Sequence, residues 1–170
     1  MDKDDIEKYL QMVGQELHAQ ELNLELLLLG GAAMLIEVGN RESTQDVDIY
    51  LLSDFAALMK AAAVVAAREG LPDGWLNSAA AGFTYGFLRQ PENTLWRTFP
   101  GLTIYLPSLE YLFVTKMMAH RLKDQADIIV LASKLGIERR KEALSLVEKY
   151  VQKQHITEDV LDEIEEIFES

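Results

Sequence analysis

The chain contains no cysteine, so it has no disulfide framework, no thiolate nucleophile and no cysteine-ligated zinc or iron–sulfur site. Histidine is nearly absent too: His18, His120 and His155 lie far apart and do not suggest a histidine-built metal centre. Basic residues are scarce. Against 28 Asp and Glu there are 16 Lys and Arg, a formal net charge of −12, and such a surface repels nucleic acid unless a local patch overcomes the field. Arg139-Arg140-Lys141 is the one basic cluster, and at three residues it is a weak signal for nucleic-acid contact. No apolar run approaches the roughly 20 residues of a spanning helix. The opening Met1-Asp2-Lys3-Asp4-Asp5 carries the wrong charge for a secretory leader. A cytoplasmic protein without membrane contact is the expectation. What is present is the balance of a folded protein: 49% hydrophobic and 26% charged residues over 170 positions, enough for one domain with a core, or a small domain with a helical appendage.

Ile6, Leu10, Val13 and Leu17 recur at helical spacing and predict an amphipathic helix over residues 4–20. Residues 22–29 form a short apolar run closed by Gly30-Gly31, which reads as a buried strand. A short helix follows over 32–38, with Gly39 as its left-handed cap. After a polar loop, residues 46–52 read as a second strand. Ser53-Asp54 then cap an alanine-rich helix that stops at Gly70. Two further strands are expected, over 83–88 and 102–106. From Ser108 onward the pattern is helical: a helix opened by Ser108, then 123–135, 138–152 and 157–168. Strands early and helices late indicate an α/β or α+β core followed by a helical bundle.

Asp46 and Asp48 lie two apart on a predicted strand, so both point to one face. Two carboxylates so placed repel unless a divalent cation sits between them, and hard oxygen ligands of this kind suit Mg²⁺. Gly30-Gly31, at a strand–helix junction, allows close backbone approach and aims N–H groups at an anion. Singly, such features are commonly a tight turn and a solvated face. Together they point to phosphoryl or nucleotidyl transfer.

Leu29-Gly30-Gly31 followed by Asp46-Val47-Asp48-Ile49 resembles the signature of the DNA polymerase beta-like nucleotidyltransferase superfamily. The wider stretch through Gly39, Arg41 and Ser43-Thr44-Gln45 is similar to small bacterial nucleotidyltransferase-like proteins, some of whose relatives are toxins or antitoxins. Lys116-Met117, Arg121-Leu122-Lys123-Asp124 and Asp127-Ile128 resemble their helical half. The resemblance implies an α+β fold: a mixed sheet flanked by helices over residues 1–107, and a C-terminal helical region over 108–170 packing on it. It implies that Asp46 and Asp48 are catalytic and hold Mg²⁺, and that Gly30 and Gly31 contact an NTP. The activity implied is transfer of a nucleoside monophosphate to a hydroxyl of a protein, an RNA or a small molecule. Arg41, Ser43 and Thr44 carry donors for phosphate oxygens.

Lys116 adds a charge for phosphate if its helix borders the cleft; otherwise it snorkels from an apolar helix. Arg121 and Asp124 have the spacing of an ion pair. Two departures from the family pattern bear on activity. Fourteen residues separate Gly31 from Asp46, and the strand Leu102–Leu106 lacks the third carboxylate of active members. The alternative is therefore a catalytically weak or inactive nucleotidyltransferase-like binding module, a toxin–antitoxin component working with a cognate partner or as a homodimer.

Overall fold

The computed structural model describes residues 1–51, 54–79 and 92–168, which fall in two compact units. The first is built from residues up to 79 together with Asn93–Pro107. It opens with helix α1 (Lys3–His18), whose N-cap Asp2 and third residue Asp5 bond each other's backbone N–H in a capping box. Its expected apolar face is complete: Ile6, Leu10, Val13 and Leu17 are all fully buried. Strand β1 (Leu24–Leu28) follows, then the short helix α2 (Gly30–Ala33), which runs on as a π-helical turn over Met34–Val38 and ends at left-handed Gly39. Strand β2 is Val47–Leu51. Helix α3 (Phe55–Glu69) is capped by Asp54 and stopped by left-handed Gly70. Strands β3 (Leu76–Asn77), β4 (Asn93–Phe99) and β5 (Leu102–Pro107) complete the unit.

The strands form one mixed sheet in the order β3-β2-β1-β5-β4. β1 runs antiparallel to β2 and parallel to β5, β3 is parallel to β2, and β4 is antiparallel to β5. Residues paired in register point to the same side. One face therefore carries Leu26, Leu28, Val47, Ile49, Leu102 and Ile104, all buried, each worth roughly 1.5–3 kcal/mol on leaving water. α1 packs on α3 and on β5. It approaches the β4–β5 turn so closely that a side chain on Gly101 would meet the Gly14 carbonyl. The opposite face carries Glu25, Leu27, Asp48, Tyr50, Thr103 and Tyr105.

The expectations need amendment here, beginning with the two-residue β3, which no pattern marks. β4 is a strand the sequence reading leaves out. Four of its seven residues, Asn93, Thr94, Leu95 and Thr98, are exposed, so no apolar alternation marks it. It is held instead by its ladder with β5 and by Arg97, which grips Glu7 of α1 at 2.7 and 3.1 Å. The strand expected over 83–88 lies outside the described residues.

The second unit holds the chain from Ser108 on. Ser108 accepts a hydrogen bond from the Tyr111 N–H and opens α4 (Leu109–Ala119). A 3₁₀ turn at Leu122–Asp124 leads into α5 (Gln125–Leu135), which ends at left-handed Gly136. α6 (Arg140–Tyr150) and α7 (Glu158–Ile167) follow, with a 3₁₀ turn between them. α4 packs on α5, α6 and α7 around Leu112, Met117, Ile128, Val147 and Ile164. Among the described residues, no helix is long and apolar enough to cross a membrane. The fold is thus α+β, a five-stranded mixed sheet flanked by helices with further helices after it, consistent with a nucleotidyltransferase-like architecture.

Two polar contacts order the helical unit. Lys116 is buried, with its ammonium 2.5 Å from Asp124 Oδ1 and 2.9 Å from Asp127 Oδ2. Asp124 thus pairs with Lys116 on the preceding helix, a partner that the spacing of Arg121 and Asp124 does not announce. The second contact ties the end of α4 to α7. His120 sits at φ 42° and brings Nδ1 to 2.8 Å from Oε2 of the buried Glu163. The Glu163 bond, reinforced by Asp159 and Glu166, raises the imidazole pKa above its ordinary 6.5. A raised folded-state pKa stabilises fully below the unfolded value, and this contribution is lost as pH rises through the folded one. The urea midpoint is therefore expected to fall between pH 6 and pH 8, and the fall should be smaller in His120→Gln. Equal pH slopes in the two proteins would remove the pair from the balance.

Candidate active site at the β1–α2 turn

β1 ends at Leu29, whose N–H donates to the Asp48 carbonyl at 2.8 Å, so β1 and β2 stay in step up to the turn. Gly30 then takes φ 55° and starts α2. The reason for glycine is on the neighbouring strand. A Cβ on Gly30 would lie 2.4 Å from Asp48 Oδ2. One on Gly31 would lie 2.6 Å from Thr44 Oγ1 and 3.3 Å from Arg41 Nη1. The two bare positions are thus where the side chains of Asp48, Thr44 and Arg41 converge.

The loop before β2 brings the remaining groups. The Thr44 hydroxyl donates to the Asp46 carbonyl at 3.1 Å, and the Thr44 N–H donates to the Met1 carbonyl at 2.9 Å. Asp46 lies just ahead of β2 rather than within it, and is exposed where Asp48 is half-buried. It nonetheless keeps to the side of Asp48. Asn77 of β3 stands in register with Asp48, and its Nδ2 reaches Asp46 Oδ2 at 3.5 Å. Ser43 is exposed on the same loop.

Asn77 is the residue that sequence reasoning missed. The turn Pro72-Asp73-Gly74 announced a chain reversal, but a two-residue strand has no periodicity to read. Lys116 belongs to the other unit, where Asp124 and Asp127 occupy its ammonium; a phosphate role must compete with both.

The donor set fits a hard divalent cation. Asp46 and Asp48 offer carboxylate oxygens, and the missing side chain at Gly30 is what lets the Asp48 carboxylate lie against the turn. β5 adds Thr103, Tyr105 and Pro107 to this face, and no carboxylate. Among the described residues, no group of three or more His, Asp or Glu side chains gathers as a metal cluster.

A family described as "nucleotidyltransferase of unknown function" (DUF6036) has a model that matches residues 8–139. The chain belongs to this family. No curated protein and no solved structure matches it. The nucleotidyltransferase region so defined begins within α1 and takes in the whole sheet, Gly30, Gly31, Asp46, Asp48 and Asn77. It continues through the Lys116–Asp124–Asp127 cluster and stops before α6. Membership in a nucleotidyltransferase family implies a nucleotide substrate.

Proposed function

We propose that the chain is a Mg²⁺-dependent nucleotidyltransferase that moves a nucleoside monophosphate from an NTP to an acceptor hydroxyl. The observation that carries this reading is the close approach of the Asp48 carboxylate to Gly30, with Asp46 on the same side. Asp46 and Asp48 would hold the cation, which when bound offsets phosphate charge and polarises the α-phosphorus. Gly30 and Gly31 let Asp48, Thr44 and Arg41 close on the turn, where a hydroxyl and a guanidinium would stand beside the carboxylate to meet a triphosphate. In the transfer, the acceptor oxygen bonds to the α-phosphorus, the bond to the departing pyrophosphate breaks, and the hydroxyl proton is released.

A second reading, a nucleotide-binding module of low turnover acting with a partner, is favoured by one specific observation. The neighbour of Asp48 on β3 is the neutral Asn77, which takes no proton from an acceptor. Calorimetric titration with Mg²⁺–NTP tests what the two readings share. Asp46→Asn combined with Asp48→Asn keeps shape and hydrogen bonding but removes both anionic ligands, so Mg²⁺-dependent affinity should disappear. Equal affinity in wild type and double variant, with and without Mg²⁺, would sink the site. Label transfer from each NTP to RNA, to co-purified protein or to the chain itself then separates enzyme from binder.

A further inference from the structure

We infer that Asn77 is a positioning residue of the cation site, holding Asp46 from the place where a third anionic ligand would complete the set. The inference rests on the Asp46–Asp48 reading above. β3 pairs with β2 through two residues only, Leu76 with Val47 and Asn77 with Asp48. Leu76 is fully buried and fixes which way the strand faces, so Asn77 falls on the side of Asp48.

The carboxamide is oriented from both ends. Its Oδ1 accepts from the Ala79 N–H at 2.9 Å, and its Nδ2 donates to the Gly74 carbonyl at 3.2 Å. With the oxygen engaged by backbone, the amide presents N–H to Asp46, whose Oδ2 lies 3.5 Å away. An N–H donor does not ligate a cation. Asn77 therefore acts through the carboxylate it orients, as groups behind metal ligands do.

An aspartate here would keep the Ala79 bond and turn its second oxygen toward Asp46 Oδ2 and the Gly74 carbonyl. Without a cation that contact repels. With one it supplies a further hard ligand. The residue at this position thus sets both the strain of the cation-free site and its grip on the cation.

The test uses Mn²⁺ as probe, with affinity read by paramagnetic resonance and thermal unfolding followed in EDTA and in saturating Mn²⁺. N77D should melt below wild type in EDTA, gain more from Mn²⁺ than wild type does, and bind Mn²⁺ about tenfold more tightly. N77A should bind about tenfold more weakly. N77D that matches wild type in affinity and in Mn²⁺-induced melting shift overturns the inference, and so does N77D that stays unfolded in saturating Mn²⁺. A wild type that binds Mn²⁺ beside an unchanged N77D removes the role of Asn77 alone. A wild type with no Mn²⁺ affinity removes the functional reading along with it.

Discussion

Gly30→Ala is expected to abolish cation-dependent nucleotide binding and to destabilise the first unit at the same time. Holding alanine at φ 55° costs about 1–2 kcal/mol from the backbone alone. The new methyl would also lie 2.4 Å from Asp48 Oδ2, so the carboxylate must leave the turn. Gly39→Ala separates the two effects. Gly39 has the same left-handed backbone at φ 68°, but open space where its Cβ would go. It should lose a similar backbone increment in urea unfolding and retain Mn²⁺ affinity. If Gly30→Ala binds Mn²⁺ as wild type does, the approach of Asp48 to the turn is a packing detail and not a cation site.

Lys116→Met should strongly destabilise the helical unit. Lys116, Asp124 and Asp127 are each buried, and the ammonium sits between the two carboxylates. Removing one partner of such a buried set costs about 3–5 kcal/mol, because the remaining charge is stranded away from water. The triple variant, with Asp124→Asn and Asp127→Asn added, should regain more than half of that loss in urea unfolding. Additive losses, with each substitution worsening the last, would show that the three side chains contribute independently.

The fold was legible where burial imposes a period. Ile6 to Leu17 of α1 and the apolar run of β1 follow directly from their patterns, and so does the helix opened by Ser108. β4 was hidden because an exposed edge strand has no side to hide, and two of its three apolar residues, Leu95 and Trp96, sit at a bulge. In the site, Gly30, Gly31 and Asp48 were readable because glycine and carboxylate each answer to one local demand. Asn77 was not, since its place depends on β3 docking beside β2, a pairing that two residues cannot announce. Lys116 was readable as a helix residue near Asp124 and Asp127, but its burial between them was not.

The two carboxylates rest on backbone of different stiffness. Asp48 belongs to β2, which is hydrogen-bonded on one side to β1 and on the other to β3, so it moves only as the sheet moves. Asp46 ends a polar loop whose attachments include the Thr44 pairing with Met1 and the amide of Asn77. Amide protons of β2 should then exchange with solvent only through opening of the sheet, while those of residues 40–46 exchange through local motion. A ligand bridging the pair closes a loop onto a fixed wall. The ordering of that loop is an entropic toll on binding, and every contact that already restrains residues 40–46 lowers it.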